Sequence, residues 1–328
     1  MPVSLRDLPK AHLHVHLAAT MRHTTLLDFA GEDGVAPPRV NSYTDFSDFL
    51  RQADALCGLL NTPARALRLI AEAVEDAAGE GAVAVEFSFD PPSYGPFFGN
   101  DDTAVREMAA ALREAAAEQG IWAGFILAAD RGAGSDAAIE TARLAEKYQD
   151  SGVIGLGLQG DEAGHPTGQF AAAFDLAHEA GLLCLPHAGE FDGPASVRAA
   201  IDDLHADRVQ HGIRAIEDGE LLRQIVEREI CLDVCPTSNV ALHVVRNLRS
   251  HPLPTFLARG VKCSINADDP ALFGVGILGE YDLCRSGMAL SDDDLAACAR
   301  NSIVASAAPR PVKDAALAGV QRWLTASV

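Results

Sequence analysis

Short apolar runs alternate with longer segments whose apolar residues recur at helical spacing, and this alternation repeats eight times along the 328-residue chain. A short apolar run predicts a buried strand, and apolar residues three and four positions apart predict an amphipathic helix. Repeated strand and helix units build a parallel sheet, and eight of them close into a barrel. We therefore expect an α/β fold, a (β/α)8 TIM barrel, with strands over residues 11–16, 82–89, 121–127, 153–158, 182–186, 208–210, 230–234 and 261–265.

The segments between these strands carry start and stop signals for helices. Thr62 and Pro63 open a predicted helix over 62–78, because threonine caps helix N-termini and proline suits the first helical position. A second predicted helix over 103–119 ends at Gly120. These helices have the lengths that crossover connections in a parallel barrel require.

The connection after the first strand, residues 21–81, is too long for a single helix. We expect extra helices there, including 44–60, that form a helical lid over the barrel mouth. No stretch has the composition of a linker, so residues 1–328 are predicted to form a single barrel domain that ends in a helix over 312–326. The apolar residues of the predicted lid helix that face the mouth or the core are Phe46, Phe49 and Leu50.

Composition restricts the possible partners. The chain has 46 Asp and Glu residues against 26 Lys and Arg residues, a formal net charge of −20 that repels nucleic-acid phosphates. No apolar run is long enough to cross a bilayer, and no secretory signal is visible. The seven cysteines are odd in number and spread through apolar segments, which predicts free thiols. We expect a cytoplasmic protein that binds neither nucleic acid nor membrane; the oligomeric state stays open.

Potential metal ligands occur where predicted strands end. His14 and His16 point to the same face of the first strand, because side chains alternate with a period of two. Further ligand-type residues follow the fifth, sixth and eighth strands at His187, His211 and Asp268. The carboxyl ends of barrel strands meet on one rim, so these residues are expected to converge. Imidazoles with a carboxylate suit Zn²⁺, with a coordination position left for water.

These segments, taken together, resemble the adenosine deaminase family, and the resemblance extends along nearly the whole chain. The resemblance rests on the residue types within several segments and on the order of these segments along the chain. The matching segments are Pro9-Lys10, His14-Val15-His16-Leu17, Gly160-Asp161-Glu162, His187-Ala188-Gly189-Glu190, Arg208 with His211-Gly212, Cys235-Pro236-Thr237-Ser238-Asn239, and Ser264-Ile265-Asn266-Ala267-Asp268-Asp269-Pro270. The resemblance implies a zinc-dependent hydrolase that releases ammonia from a small 6-aminopurine nucleoside.

The resemblance also implies one zinc per chain, although Fe²⁺ or Co²⁺ accepts the same donors. Related two-metal barrels bridge their metals with a carboxylated lysine on a strand, and none of the lysines here ends a suitable strand. The lysines are Lys10, Lys147, Lys262 and Lys313. The ligands implied by the family are His14, His16, His187 and Asp268.

The catalytic residues are likewise implied by the family. Glu190 corresponds to the acid that protonates N1 of the purine, and a buried carboxyl with a raised pKa suits that role. His211 corresponds to the residue that orients and deprotonates the attacking water. Asp269 would bond the purine N7, and the backbone N–H of Gly160 would face N3.

Two other motif types are excluded or weak. The chain has no Cys-x-x-Cys pair, so the second known architecture of zinc deaminases is excluded. Residues 155–160 satisfy the G-x-G-x-x-G pattern of dinucleotide-binding proteins, but they lie in a predicted strand and no helix opens at the third glycine. These glycines are expected to let the backbone approach a purine.

The chain departs from the family next to its first two histidines. Adenosine-specific members carry an acidic residue and then glycine after His-x-His-Leu, and the acid bonds the ribose 5′-hydroxyl. Here Ala18 and Ala19 occupy these positions, and neither side chain forms a hydrogen bond. The substrate is therefore expected to be adenosine or a 5′-modified adenosine such as aminodeoxyfutalosine. The alternatives are adenine or an N6-modified purine, or a metal-bound nucleoside-binding protein without catalysis.

Three further features are expected to have structural roles or roles at the edge of the site. Residues 90–98 are rich in Pro, Gly and aromatic residues and are expected to form a loop, either a rigid one that packs against the non-purine end of the substrate or one that anchors itself by burying its aromatic residues. Arg208 is expected to hold the barrel by ion pairing. The remaining histidines, which are expected at the surface or in packing positions, are His12, His23, His165, His178, His205, His243 and His251.

Overall fold

Eight parallel strands form one sheet in sequence order in the computed structural model, which describes residues 3–41 and 43–326. Each strand pairs in parallel with the next along the chain. All eight predicted strands are confirmed, with ends shifted by three residues at most. Their bounds are β1 Lys10–His16, β2 Ala82–Phe89, β3 Trp122–Asp130, β4 Val153–Gln159, β5 Leu183–Ala188, β6 Arg208–His211, β7 Cys231–Val234 and β8 Lys262–Ile265.

Helices follow the strands and surround them, so the fold is a (β/α)8 TIM barrel. The helices of the described residues are α1 His23–Asp33, α2 Phe46–Gly58, α3 Pro63–Gly79, α4 Pro91–Phe98, α5 Asp101–Gln119, α6 Ser135–Tyr148, α7 Ala171–Glu179, α8 Pro194–Asp202, α9 Gly219–Glu227, α10 Pro236–Ala241, α11 Leu253–Ala258, α12 Pro270–Phe273, α13 Ile277–Gly287, α14 Asp292–Ala305 and α15 Arg310–Ala326. No helix among them is long and apolar enough to cross a membrane.

The predicted helix signals are confirmed. The Thr62 hydroxyl accepts a hydrogen bond from the Arg65 N–H at 3.3 Å, and Pro63 is the first residue of α3. Helix α5 begins two residues earlier than expected, because Asn100 caps it, and it ends at Gly120 with φ +68°. Left-handed backbone at a helix end favours glycine, which explains why this residue stops the helix.

The barrel closes between β1 and the residues that follow β8. Val15 and Asp268 form a parallel bridge, and the Asp268 N–H donates to the His14 carbonyl at 3.1 Å. The Asn266 side-chain oxygen accepts from the Leu13 N–H at 2.8 Å and from the His14 N–H at 3.2 Å. Asn266 and Asp268 thus hold the backbone of His14, so two predicted metal ligands are fixed relative to each other.

A buried ion-pair network lies inside the barrel below the rim. The Arg208 guanidinium contacts Glu86 at 2.5 Å and Asp233 at 2.9 Å, and both carboxylates are fully buried. Removal of either partner would leave a buried charge without compensation. The prediction that Arg208 holds the barrel by ion pairing is confirmed. The cysteines are free, and six of the seven are buried.

Of two predictions about the segments near the barrel mouth, one is wrong and one is confirmed in part. The expectation of a loop over residues 90–98 is wrong, because Pro91 begins helix α4, where its missing N–H and fixed φ suit the first turn. Helices α1, α2 and α3 occupy the long connection after β1, as expected. The action of α2 as a lid stays a prediction.

Candidate active site

A cavity opens at the carboxyl ends of the strands, and its floor is formed by residues that follow β1, β5, β6 and β8. The predicted site residues that line it are His16, Gly160, His187, Glu190, His211, Asp268 and Asp269. His14 is fully buried directly beneath them. The structure therefore brings every predicted site residue to the same rim.

The predicted metal ligands form a tight cluster. Ligand atoms of His14, His187, His211 and Asp268 lie within 4.8 Å of one another. His14 Nε2 is 3.2 Å from Asp268 Oδ1, and His16 Nε2 is 3.3 Å from the same oxygen. His16 groups with the two aspartates rather than with His187 in this arrangement. His14 and His16 thus meet at the Asp268 carboxylate, and His187 joins them through His14 Nε2 at 3.0 Å.

The arrangement of His14 and His187 fits a cation. Their Nε2 atoms face each other at 3.0 Å. His14 Nδ1 lies 3.1 Å from the Asp233 carbonyl and His187 Nδ1 lies 2.8 Å from the Leu158 carbonyl, so each ring donates its Nδ1 proton to the backbone. In the neutral rings both Nε2 atoms then carry lone pairs, and two acceptors face each other without a proton. A metal ion between them would relieve this repulsion, and carbonyl-bound Nδ1–H is the usual support of metal-binding histidines.

The electrostatics of the cluster divide its groups. Although burial acts to lower it, the charge of Asp269 and the hydrogen bond and charge of Asp268 raise the pKa of His16 to about 9, so a metal ion would have to displace its second proton. Two other groups are already held in the forms that bind metals. Burial, together with the charges of His14 and His16, holds the pKa of His187 well below its usual value. Although burial acts in the opposite direction, the charge and hydrogen bonds of His14 hold the pKa of Asp268 well below its usual range. Neutral imidazole and ionised carboxylate are the forms that bind metals.

Asp268 reaches the cluster through a left-handed backbone conformation, with φ +60°. This conformation is uncommon for a residue with a Cβ and persists where surrounding contacts fix it. Its carbonyl accepts from the His16 N–H at 2.9 Å, and the preceding Ala267 N–H donates to the buried His12 ring at 3.1 Å. His12 thus packs in the interior and also fixes the turn that carries a ligand.

Glu190 lies at the edge of the cluster on a tight turn after β5. Its Oε2 is 3.3 Å from His211 Nε2, whereas its buried Oε1 has no hydrogen-bond partner among the described residues. Burial, and then the charge of Asp268, raises the pKa of Glu190 well above its usual value. The turn needs Gly189, which has φ +65° and would place any Cβ 2.2 Å from Val197. A protonated carboxyl can therefore be held beside the cluster of predicted metal ligands.

Glu162 fixes this turn and was quoted above only as part of a matching segment. Its Oε1 accepts from the Gly189 N–H at 2.5 Å and from the Ser196 hydroxyl at 2.5 Å. Its Oε2 accepts from the N–H groups of the next three residues, Glu190, Phe191 and Asp192, at 3.1, 2.9 and 3.0 Å. A long side chain directed back into the molecule from the loop after β4 gives no periodic signal, so the sequence could not show this role.

No role could be assigned from the sequence to Asn239 and His251, which lie on the side of the His211 ring that faces away from the cavity. The Asn239 amide lies 3.2 Å from His211 Nδ1, and His251 Nε2 lies 3.2 Å from the Asn239 side-chain oxygen. The segment around Asn239 was part of the resemblance, but nothing in the sequence placed His251 near it. His251 was expected at the surface or in packing; it is buried and forms part of this chain of contacts.

Above the cluster the cavity has apolar walls and an acidic mouth. Helix α2 and neighbouring segments supply the apolar wall, which includes Phe46, Phe49, Leu50, Leu242 and Leu272. The mouth carries Asp54, Asp90 and Asp130, and no lysine or arginine lines the cavity among residues 3–41 and 43–326. A Cβ on Gly160 would lie 3.5 Å from the Asp130 carboxylate, so the mouth begins directly beside this glycine.

The comparison with known proteins agrees with this site. The profile of the adenosine deaminase family matches residues 9–323. The chain belongs to the adenosine deaminase family. The chain is 40% identical to an adenosine/adenine deaminase of Streptomyces virginiae over 97% of both chains, and 36% identical to an aminodeoxyfutalosine deaminase of Acidothermus cellulolyticus over 90% of both. A crystal structure of adenine deaminase from Arthrobacter aurescens superposes with a TM-score of 0.90 at 30% identity, covering 97% of this chain and 99% of that one.

Members of the adenosine deaminase family are metal-dependent hydrolytic deaminases that act on C–N bonds. The chain is accordingly an enzyme that deaminates substrates of the adenosine or adenine type. The His and Asp cluster at the floor of its cavity provides a place for the metal. The cavity shape and charge then bear on which compound it accepts.

Proposed function

We propose that this protein is a deaminase of a 6-aminopurine nucleoside, with one Zn²⁺ per chain. The observation that carries the proposal is the contact between Glu190 and His211, 3.3 Å apart at the edge of the ligand cluster and facing the same cavity. A pure nucleoside-binding protein needs neither an acid nor a second imidazole beside its metal. The geometry therefore favours catalysis over binding alone.

His14, His16, His187 and Asp268 are the proposed ligands. Three imidazole nitrogens and a carboxylate oxygen suit Zn²⁺, which keeps a further position for water in catalytic sites. When bound, the ion would lower the pKa of its water from about 16 towards about 7 and so supply hydroxide at neutral pH. Support for this set comes from the two opposed Nε2 lone pairs of His14 and His187 and from the shared Asp268 carboxylate.

The other site residues are proposed to hold the purine. Glu190 donates its proton to N1, which makes C6 electrophilic. Burial, and then the neighbouring Asp268 charge, raises the pKa of Asp269 to about 8, so this carboxyl is proposed to carry a proton at pH 7 and to donate it to N7. The N–H of Gly160 faces N3. His211 is proposed to hold the attacking water. The hydroxyl that adds to C6 then gives its proton to the amino group, which leaves as ammonia while C6 becomes a carbonyl.

The cavity lining supports a nucleoside without a phosphate group. Seven acidic residues line the cavity, and no lysine or arginine among the described residues lies with them; the seven are Asp54, Asp90, Asp130, Glu162, Glu190, Asp268 and Asp269. A 5′-phosphate would lose its hydration and meet acidic side chains at the mouth, with no lysine or arginine to pair with it. Sugar hydroxyls, in contrast, are donors that carboxylates accept.

Adenosine or a 5′-modified adenosine is the proposed substrate, because Ala18 lines the cavity and supplies no acceptor for a 5′-hydroxyl. The name of the Acidothermus relative supports aminodeoxyfutalosine as one such compound. The second candidate is free adenine or an N6-modified purine. The adenine deaminase of Arthrobacter aurescens, with its TM-score of 0.90, favours the free base.

Two further proposals concern the whole chain. We propose that residues 1–328 form one metal-dependent deaminase barrel domain, which is supported by strands from β1 to β8 in one continuous sheet. We also propose a cytoplasmic location, supported by the free thiols of all seven cysteines.

A substrate panel tests the proposed function. The purified protein, loaded with Zn²⁺, is assayed for ammonia release from adenine, adenosine, 5′-deoxyadenosine, aminodeoxyfutalosine and adenosine 5′-monophosphate, and for methylamine release from N6-methyladenine. We expect kcat/KM for a nucleoside to exceed that for adenine, and adenosine to exceed its 5′-monophosphate by at least about 100-fold, which corresponds to about 2.7 kcal/mol. Equal turnover of the monophosphate would reject the argument from cavity charge, and no turnover of any compound would reject the deaminase.

A further inference from the structure

A chain of buried hydrogen bonds leads from a backbone N–H to the ring of His211. The Leu253 N–H donates to His251 Nδ1 at 3.1 Å. A backbone N–H can only donate, so His251 Nδ1 must be an acceptor. Burial lowers the pKa of His251 to about 3, which also keeps this ring neutral. The single proton of the His251 ring is therefore on Nε2.

The direction of this first bond determines the orientation of the next group. His251 Nε2–H points at the Asn239 side chain, 3.2 Å away, so the atom that receives it must be the amide oxygen. The amide nitrogen of Asn239 then points at His211 Nδ1, also at 3.2 Å. An amide nitrogen is a donor only, and so His211 Nδ1 is an acceptor. The orientation of the amide, usually ambiguous by itself, is here fixed by the Leu253 backbone.

We infer that Asn239 and His251 are positioning residues that keep the proton of neutral His211 on Nε2, so that this ring faces the reaction as a hydrogen-bond donor. The three side chains are 0%, 3% and 1% exposed for Asn239, His251 and His211, so bulk water does not offer them alternative partners. A doubly protonated His211 would turn the Asn239 amide around and leave His251 with two acceptor nitrogens, which neutral imidazole does not have.

This assignment changes the role that the family resemblance implied for His211. A ring with its proton on Nε2 has no lone pair there to take a proton from water. His211 instead donates towards Glu190 Oε2, which is 3.3 Å away, and towards the water that the proposed function places beside it. The inference rests on that proposed function for its catalytic meaning, but the proton position itself is a property of the fold.

The consequence for Glu190 is a free acid proton. Because Oε2 accepts from His211, the proton of the neutral carboxyl belongs on Oε1, the oxygen without a partner among the described residues. Glu190 lines the cavity, so this proton is available to N1 of a purine. In the opposite tautomer the His211 Nε2 lone pair would attract the carboxyl proton to Oε2 and compete with N1.

The test replaces Asn239 by the isosteric Asn239→Asp. An aspartate accepts from both sides, so His211 is expected to move its proton to Nδ1. Protein labelled with ¹⁵N-histidine, metal-free and Zn²⁺-loaded, is examined by two-bond ¹H–¹⁵N correlation, and the His211 signals are assigned from their loss in His211→Asn. We expect the Nε2–H tautomer in the wild type, the Nδ1–H tautomer in Asn239→Asp, and a kcat lower by about 10² to 10⁴ with Zn²⁺ still bound.

A second pair of variants separates proton position from the charge that Asn239→Asp introduces. His251→Gln keeps a donor for the Asn239 oxygen, whereas His251→Leu removes it. We expect His211 to remain Nε2–H in the first and to show both tautomers in the second, with the larger loss of kcat in His251→Leu. An Nδ1–H signal in the wild type would overturn the inference, as would full kcat in a variant with the Nδ1–H tautomer. A wild type that deaminates no purine would instead count against the proposed function, since the tautomer can be measured without turnover.

Discussion

The Glu162 carboxylate accepts a hydrogen bond from the backbone N–H of Glu190 at 3.1 Å, and the two carboxyls have opposite surroundings. Glu162 receives five hydrogen bonds, four of them from the consecutive N–H groups of residues 189–192. Glu190, in contrast, has one buried oxygen without a hydrogen-bond partner among the described residues. Enzymes use different surroundings to give two groups of the same type different roles. Here the Glu162 carboxylate supports the turn, and the Glu190 carboxyl is the proposed acid.

Glu162→Gln is therefore expected to damage catalysis through the turn rather than through the metal. The amide would place a donor against backbone donors, so the turn carrying Glu190 would shift. A displacement of about 1 Å can cost on the order of 10² in rate, and we expect kcat to fall by about 10- to 100-fold with Zn²⁺ content unchanged. Exposed Glu217→Gln is the control. Loss of the metal together with activity would show that Glu162 supports the ligands instead.

Glu190→Gln is expected to keep the metal and the substrate but to lose the proton for N1. General acid catalysis contributes about 10² to 10⁴ in rate, so kcat should fall by that factor while KM changes little. The variant is compared with wild type by ammonia release and by isothermal titration with the purine product. Turnover within about threefold of wild type would remove Glu190 from the proposed mechanism.

Ala18→Asp is expected to create a preference for the 5′-hydroxyl. In the wild type no side chain at this position accepts from that group, so adenosine and 5′-deoxyadenosine should have kcat/KM values within about threefold. A hydrogen bond to a charged acceptor contributes about 1.5–3 kcal/mol, which would raise the ratio by at least about tenfold in the variant. A strong wild-type preference for adenosine would mean that another residue binds the 5′-hydroxyl.

Glu280→Gln is expected to stabilise the fold in a pH-dependent way. Glu280 is fully buried on α13, and burial raises its pKa from 4.5 to about 8. Because the unfolded chain loses this proton near pH 4.5 and the folded chain keeps it to about pH 8, the wild type loses stability as pH rises through that interval. Glutamine does not titrate and still accepts from the Thr237 N–H, which Glu280 Oε2 meets at 3.3 Å.

The gain in unfolding free energy from Glu280→Gln should therefore be small at pH 4.5 and should grow up to pH 8. Urea unfolding of both proteins at pH 4.5, 6 and 8 gives the difference directly and cancels effects common to both. A difference that stays constant with pH would contradict a raised pKa at this position.

The sequence predicted the barrel well because strand and helix periods repeat over eight units, and a strand such as Ala82–Phe89 is bounded by clear breaks. The convergence of His14, His187, His211 and Asp268 was also predictable, since parallel strands place their carboxyl ends together. The helix at Pro91–Phe98 was not, because three prolines and a glycine are typical of a loop and only tertiary packing decides.

The contacts behind the site lay beyond prediction for a different reason. Glu162, Asn239 and His251 act through side chains that cross between elements, and no periodicity encodes such pairings. His251 follows α10 at a distance of several residues and returns to Asn239 only because the loop turns inward. The roles of polar residues that orient other polar residues can therefore be recognised only from the three-dimensional structure.

Titration of the metal-free protein with Zn²⁺ tests the central claim most directly. The protein is stripped with a chelator, and ammonia release from the best purine of the panel is measured against added Zn²⁺, with His14→Ala in parallel. We predict no turnover without metal, full turnover at one equivalent per chain, and neither tight binding nor activity in His14→Ala. Turnover by the metal-free protein, or a requirement for two equivalents, would contradict a single-metal site built from His14, His16, His187 and Asp268.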